Sequence, residues 1–389
     1  MNTRAVIAAS WELVPRRYPE LSGFGLFREI IKGALRDWRL SPKELDGLLC
    51  TPAGGASGET DAYVHDKLLS ELGIHPTFCE TLSLGGASHT VMVNRAATAI
   101  REGRASAVLC ISAGKFLKPS AGGAEIQARM ISDNSLEMPY GTFIPALYAL
   151  IASGFIAERG LKPEHLARVG VSSRKWALLN PRAMMHSKGP ITVEDVLNSQ
   201  WIAEPFHFLD CSIPTDGGGA FLVTREDLAK KYTSQPAYIL GYGEYHARGT
   251  LSDPGDPAVD GPSNAGAQAF RQAGLTPADI DVVQLYDAFA ATPLILLETL
   301  GFCAPGTSGA FVMSGATEPG GKLPMNTGGG LMSFGHTGDS SGMSPLIEGM
   351  RQVMGVAGPN QVTKANRVLV HCYGGMMFDH ATLILGRQP

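Results

Sequence analysis

The 389-residue sequence is short of charge, of aromatics and of paired cysteines, and each shortage narrows what the protein can be. Charged residues make up only 17% of the chain and the net charge is −4, with no block of lysine and arginine and no basic stripe interleaved with aromatics. Nucleic acid and anionic membranes are therefore poor partners, and a ligand has to be sought in a pocket. The six cysteines, Cys50, Cys79, Cys110, Cys211, Cys303 and Cys372, form no CxxC pair and mostly sit in apolar runs, the usual setting of small buried hydrophobes in a reducing cytoplasm. No structural zinc site is expected from that spacing. The apolar runs near the N-terminus and over Ala146–Ala157 are too short for a secretory signal or a bilayer span. A hydrophobic content of 44% still suffices for two core-bearing halves.

Glycine is abundant, and the richest stretch runs from Leu323 to Met354. There Asn326–Gly330 gives a tight turn, Gly335-His336-Thr337-Gly338 presents one imidazole from a backbone that a ligand can approach closely, and Met343–Met354 reads as an amphipathic helix. A histidine so held can hydrogen-bond an oxygen on which charge develops.

Periodicity lays out the remainder. Ala5–Ala9, Leu45–Thr51, Phe78–Leu84 and Ala105–Ser112 read as strands, with helices over Phe24–Trp38, Val64–Leu72 and Thr90–Arg101. From Lys115 to Glu204 the pattern changes to a Gly/Ala/Ser/Met-rich segment with helices near Phe143–Glu158 and Pro163–Leu179, expected to fold over the core. Phe208–Thr224 returns to strand character and a polar linker spans Arg225–Gln235. Ala237–His246 is again a strand, Asp253–Gly266 an exposed loop, Ala267–Ala273 a helix, Asp281–Leu285 a strand and Tyr286–Leu300 a helix. Arg367–Cys372 and Ala381–Leu385 are the last strands. The two halves rhyme: VLCIS at Val108 and AFLVT at Ala220 answer VLVHC at Val368 and ATLIL at Ala381. Repeated strand–helix units predict an α/β duplication whose sheets are mostly parallel, with an antiparallel strand at each edge.

These segments, together with LDGLL at Leu45, Asn180-Pro181, FLDCSIPTDGGGAFLV from Phe208, LYDAF at Leu285, NTGGG, GHTGDSSG and HCYGG, resemble the thiolase superfamily, in its lipid-transfer or sterol-carrier-protein branch. The resemblance implies two βαβαβαββ halves in α/β/α/β/α layers, residues 1–114 with 205–235 and residues 236–389, with an inserted loop domain at 115–204. It further implies a homodimer, coenzyme A as part of the substrate and no covalently bound cofactor.

The departures from the family pattern decide the expected chemistry. Where thiolases open the central helix of the first half on a nucleophilic cysteine, this chain reads Leu84-Gly85-Gly86-Ala87-Ser88-His89, placing Gly86, or at the outside Gly85, at the acyl-carrying position. Glycine cannot carry an acyl group. Cys79 lies seven residues upstream, Ser88 reads as a helix cap and His89 as a helix-surface residue. Tyr286 stands where relatives carry asparagine or histidine, so a phenol at the pocket mouth can donate to an oxyanion or, with its pKa depressed, act as a base. Asp287 caps the following helix or orients a neighbour. His336 matches the catalytic histidine of the family, and Cys372 falls where the family has its acid/base cysteine or is simply a buried strand-end thiol. Gly335, Tyr373, Gly374 and His380 neighbour the same strand ends. Met130, Met138, Met184 and Met185 would suit a broad apolar acyl group.

A site that keeps enolate stabilisation and proton transfer without covalent capture suits retro-aldol cleavage of a β-hydroxyacyl-CoA. Relatives lacking the nucleophile include steroid side-chain-cleaving aldolases, often with an OB-fold, zinc-ribbon partner chain. Two alternatives stay open: an acyltransferase with an unrecognised nucleophile, and a non-catalytic binder of acyl-CoA or lipid.

Overall fold

The computed structural model describes residues 4–54, 60–116, 123–246, 248–256 and 258–389. Residues 117–122, at the start of the expected insertion, and position 257 of the expected 253–266 loop lie outside these. The first half comprises β1 (Ala5–Arg16), α1 (Gly23–Trp38), β2 (Gly47–Cys50), α2 (Val64–Leu72), β3 (Phe78–Thr81), α3 (Ser88–Arg101) and β4 (Ala107–Gly114). The chain then leaves the sheet for α4 (Gly123–Ile131), α5 (Ile144–Arg159), α6 (Pro163–Leu179), α7 (Val193–Leu197) and a hairpin of β5 (Trp201–Ala203) and β6 (Phe206–His207). It re-enters at β7 (Asp216–Arg225), and α8 (Glu226–Ala229) occupies part of the expected linker. The second half comprises β8 (Ala237–His246), α9 (Asp260–Ala273), β9 (Val282–Leu285), α10 (Ala291–Thr299), α11 (Ser308–Met313), α12 (Met343–Met354), β10 (Arg367–Gly374) and β11 (Asp379–Gly386).

The described residues form one large sheet in the order β3-β2-β4-β7-β1-β8-β11-β10-β9. Its edges are the parallel pairs β3/β2, β2/β4 and β10/β9, while β7, β1, β8 and β11 lie antiparallel in the middle. This reverses the expected placement of the antiparallel strands. The cause is connectivity: β4 and β10 each find an antiparallel neighbour in β7 and β11, and the lead strands β1 and β8 pair on the far side of those. The halves meet at the short β1/β8 pairing, Val6 with Tyr238 and Ile7 with Ala237. Among the described residues the second half has no counterpart of β3. Its outer position is taken by a single bridge of Met325 to Val283, in which the Val283 N–H donates to the Pro324 carbonyl and the Asn326 N–H to the Val283 carbonyl, because the 319–330 stretch, with Pro319, Pro324 and five glycines, does not persist as a strand.

Side-chain alternation along the strands sets the layers. In β4, Leu109 and Ile111 face α1, whose Leu26, Phe27, Ile30, Ile31 and Ala34 recur at helical spacing. Val108 and Cys110 face α3. Helices α3 and α12 contact strands of both halves and each other, forming the shared middle layer. Every residue of α12 is buried, so its polar side is a satisfied interior and not the solvent face that its amphipathic pattern suggests. Arg351 Nη1 pairs with Glu12 Oε2 of β1 at 2.6 Å. Glu348 Oε1 accepts from Thr327, Gln352 and Asn360 at 2.7–2.9 Å. Helix α9 begins at Asp260, inside the expected loop, with Gly261, Pro262, Ala265 and Gly266 buried. It lies directly on β8, since a Cβ on Gly243 would come within 1.9 Å of the Ala265 carbonyl oxygen. Among the described residues no single helix is long and apolar enough to cross a membrane.

Strands β10 and β11 carry a buried imidazole relay. His371 Nδ1 meets Thr382 Oγ1 at 2.7 Å, His371 Nε2 meets His380 Nδ1 at 3.1 Å and His380 Nε2 donates to the Met377 carbonyl at 2.8 Å. Burial drives both rings to the neutral form, with His380 pushed down to about 4. A folded pKa below the unfolded value of about 6.5 means that the unfolded chain binds the proton first, so this contribution is full above neutrality and is lost as pH falls from about 6.5 towards 4. The midpoint of denaturant unfolding is expected to fall between pH 7 and pH 5, and His380→Gln to lose about 2 kcal/mol less than the wild type over that interval. Equal losses in the two proteins would show that the relay is not the source.

Candidate active site

Two strand ends, two glycine turns and one loop converge on a single phenol. Tyr286 follows the last residue of β9. Its N–H donates to the His371 carbonyl at 3.0 Å and its own carbonyl accepts from Thr292 Oγ1 at 3.1 Å, so the residue lies in a loop ahead of α10 and not in the helix expected from Tyr286. The loop bearing His336 is tied down at both ends. Asn326, with φ of +53°, accepts from the Leu285 N–H through its side-chain oxygen and donates its amide N–H to the Leu285 carbonyl, taking the part of a strand partner. Asp287 Oδ1 accepts from the Leu331 N–H at 2.7 Å, and His336 exchanges backbone bonds with Ile213 and Thr215.

Inside this frame Tyr286 Oη lies 3.0 Å from His336 Nε2 and 2.6 Å from Ser341 Oγ. The Gly338 N–H donates to His336 Nδ1 at 3.3 Å, which leaves the ring proton on Nε2, pointing at the phenol oxygen. Tyr286 then donates to Ser341. Burial holds all of this uncharged: His336 is pushed down to about 4, and the Tyr286 hydroxyl is raised well above its usual value. Phe116 packs against the imidazole, with ring centroids 5.4 Å apart, and Tyr373 stands edge-on to Tyr286 at 4.7 Å.

The aromatic ring occupies the space where a side chain at position 86 would go. A Cβ on Gly86 would sit 2.4 Å from Tyr286 Cε2 and 2.5 Å from the Tyr373 carbonyl oxygen. Close by, a Cβ on Gly374 would come within 2.0 Å of the Leu84 carbonyl oxygen, so the 84–86 turn is pressed onto the end of β10.

Two cavities meet at Tyr286 and His336. One, of about 460 Å³, is lined by Leu84, Gly85, Gly86, Ser88, Arg248, Asp339, Ser341, Tyr373 and Gly374 among others. The second, of about 420 Å³, is walled mainly by Phe116, Pro145, Ile191, Phe208, Ile213, Phe289 and Met332. Tyr148, Gln127, Ile144 and Met376 border both.

The structure thus brings together Tyr286, His336, Gly86, Ser88, Tyr373 and Gly374, and separates the rest. Ser88 spends its hydroxyl locally, accepting from the Leu84 N–H and donating to the Gly85 carbonyl, both at 2.8 Å. His89 is fully buried and not on a helix surface, since α3 lies in the middle layer. Asp287 lines neither cavity. Its carboxyl, raised to about 7 by burial, holds the 330–334 turn, and a Cβ on Gly330 would meet Asp287 Oδ2 at 2.0 Å. Gly335, with φ of +140° and tight against Thr215, shapes the approach to His336 without lining a cavity. Cys372 also lines neither. Its thiol points at the Gly342 carbonyl at 3.9 Å and burial pushes it up to about 12, the setting of a packed strand-end cysteine. Cys211 is the cysteine that does face a cavity. Its thiol donates to the His207 carbonyl at 3.3 Å and is likewise pushed up to about 12, which keeps it from being a nucleophilic thiolate at neutral pH. Met130 lines the first cavity and Met185 the second, whereas Met138 and Met184 line neither. Sequence reasoning missed Ser341, although it stands five residues after His336, and Tyr148, which reads as one more core residue of an apolar helix.

Comparison with known proteins bears on this geometry. Residues 243–387 match the family described as thiolase C-terminal domain-like. The chain is 35% identical over 378 residues to the 17-hydroxy-3-oxo-4-pregnene-20-carboxyl-CoA lyase of Mycobacterium tuberculosis, covering 93% of each chain. It is 33% identical over 372 residues to a steroid side-chain-cleaving aldolase of Thermomonospora curvata, covering 92% of this chain and 91% of that one. The solved Ltp2-ChsH2(DUF35) aldolase superposes with a TM-score of 0.84 at 31% identity, over 98% of this chain and 97% of that one.

The contact at position 86 is directly testable. Gly86→Ala forces apart a ring and a backbone carbonyl and is expected to destabilise the fold by about 1–3 kcal/mol, read as a lowered thermal midpoint. An unchanged midpoint would mean that Tyr286 does not occupy that space in solution.

Proposed function

The chain belongs to the thiolase superfamily, in the branch that holds the steroid side-chain-cleaving aldolases, and from that premise we propose that it is a carbon–carbon lyase cleaving a β-hydroxyacyl-CoA by retro-aldol reaction without an acyl-enzyme. The observation that carries this reading is the exchange of space at position 86, where a phenol hydrogen-bonded to His336 fills the place of an acyl-carrying side chain.

The reaction needs one proton moved. As the bond between the α- and β-carbons breaks, the β-hydroxyl becomes a ketone carbonyl and loses its proton, and the acyl-CoA enolate gains one at the α-carbon. Tyr286 can serve both ends in one relay: as its phenol proton leaves towards Ser341, whose own hydroxyl proton passes to the α-carbon, Oη turns transiently negative and takes the β-hydroxyl proton, so that both side chains end neutral and one proton has moved. His336 donates through Nε2 to the same oxygen and stabilises the negative charge that develops on it, a role that suits an imidazole kept neutral by burial. The turn at Gly85 and Gly86, just ahead of α3, offers the thioester oxygen the amide end of a helix. The first cavity, with Arg248 in its wall, suits the pantetheine arm and phosphates of coenzyme A, and the apolar cavity suits the acyl group.

A second chain belongs to this reading. The solved aldolase joins Ltp2 with ChsH2(DUF35), and here the insertion carries exposed Met130, Leu136, Tyr140 and Leu150, apolar surface that a partner of OB-fold, zinc-ribbon type would cover. We propose a homodimer for the chain itself.

Tyr286→Phe in purified protein, with its partner where one is needed, is expected to lower kcat/KM for retro-aldol cleavage by at least about 10²-fold, the range of a lost general acid–base. Cys372→Ser should stay within a few-fold of wild type. Full activity in Tyr286→Phe removes the phenol from the chemistry, and a large loss in Cys372→Ser returns the thiol to it.

Incubation with acyl-CoA should leave the mass of the denatured protein unchanged. An acyl adduct on Ser341 or Cys211 would replace the lyase reading with acyl transfer.

A further inference from the structure

The apolar cavity contains a cation that the proposed reaction does not use. Arg174 projects from α6 one turn beyond Gly170, which lines the same wall, and it is 6% exposed. It lines the second cavity only, in the part not shared with the first, together with Met185, Ile191 and Gly170. Among the described residues lining that cavity it is the one with a full charge, since the neighbouring His336 is held neutral.

A guanidinium has five N–H donors, and burying it calls for a carboxylate or several acceptors. Arg174 has neither. Nη1 donates to the Gly189 carbonyl at 3.0 Å, Nε is buried with no acceptor, and no carboxylate among the described residues pairs with it. Burial alone lowers its pKa, with no neighbouring charge acting in the opposite direction. The other buried arginine of comparable exposure, Arg351, is matched to Glu12 at 2.6 Å. A charge left with one backbone acceptor in a pocket of apolar side chains is a binding group without its ligand.

We infer that Arg174 recognises an oxygen acceptor, a ring carbonyl or a carboxylate, on the acyl group at a position remote from the thioester, and so selects oxygenated ring systems over plain hydrocarbon ones. The inference rests on the assignment of the second cavity to the acyl group. It deepens that reading by naming what the group must carry. A cavity of about 420 Å³ is of a size for a compact polycyclic group, and its walls offer the group little else by way of a cationic donor.

The test uses equilibrium binding to the full chain, with ring-bearing acyl-CoA thioesters that lack the β-hydroxyl and so cannot be cleaved. Three ligands are compared, identical except for a carbonyl, a carboxylate or a methylene at the remote ring position. Wild-type protein is expected to bind one of the oxygenated ligands roughly 10- to 100-fold more tightly than the methylene compound, as a hydrogen bond to a charged donor would give. Whichever is preferred identifies the acceptor. Arg174→Met and Arg174→Gln should each bring the ratio to within about threefold of unity. Equal affinity of wild type for all three ligands overturns the assignment without reference to any variant, and so does a preference that survives both substitutions. Because the readout is binding, a protein that discriminates these ligands yet cleaves no β-hydroxyacyl-CoA would sink the lyase reading and leave this one standing. Cleavage without discrimination would do the reverse.

Discussion

The contact on which the site depends is steric: the ring of Tyr286 lies where any side chain at position 86 would begin. Two atoms cannot share that volume, so the choice of glycine and the presence of the phenol are one decision. From it follows the kind of chemistry available, because the fold keeps its histidine, its helix start and its crevice while losing the means of holding an acyl group covalently. The phenol, in turn, is only useful if its oxygen is aimed. Asn326 pairing with Leu285, Asp287 holding the 330–334 turn and Thr292 capping the Tyr286 carbonyl all act on that aim from outside the cavities.

Desolvation is the second constraint, and it explains which protonation states the site can start from. A fully buried imidazole and a fully buried phenol both lie in the neutral form, so charge appears only as the proton moves. The hydrogen bonds among His336, Tyr286 and Ser341 are already made without a ligand, so the proposed reaction would need no reorganisation to solvate negative charge on the phenol oxygen. The same burial keeps the thiols of Cys372 and Cys211 protonated, each pushed up to about 12.

Much of this was legible in the sequence. Helices at Val64–Leu72 and Pro163–Leu179 coincide with their predicted spans, because apolar residues at helical spacing were bounded by Gly73 and by Pro163. His336 was singled out by its glycine-rich turn, and Tyr286 and Gly86 by their departure from the thiolase pattern; the structure brings the three together. What was not legible depends on neighbours brought together from afar. The order of strands follows from which edge each crossover reaches, and an apolar run carries no mark of that. Asp260–Gly266 looked like a loop for its Gly and Pro content, although packing on the bare backbone of Gly241 and Gly243 stabilises it as helix. Cys372 was expected either at the family's acid/base position or as a buried strand-end thiol, and which face of β10 it takes depends on packing: its side chain lies on the Gly342 side and lines neither cavity.

The missing outer strand of the second half has a consequence for the symmetry of the molecule. Each half brings one copy of the middle helix, and both copies start at the same crevice: Gly342, ahead of α12, lies against the Gly86 carbonyl ahead of α3, and Ser341 and Ser88 line one cavity. The polypeptide that would have matched β3 is spent as the span from Pro319 to Phe334, fastened to the sheet rim through Met325 and Asn326 and leading into the loop that carries His336 to that cavity. Doubling supplied the scaffold, and the unequal fate of one strand made the contributions of the two halves to it different.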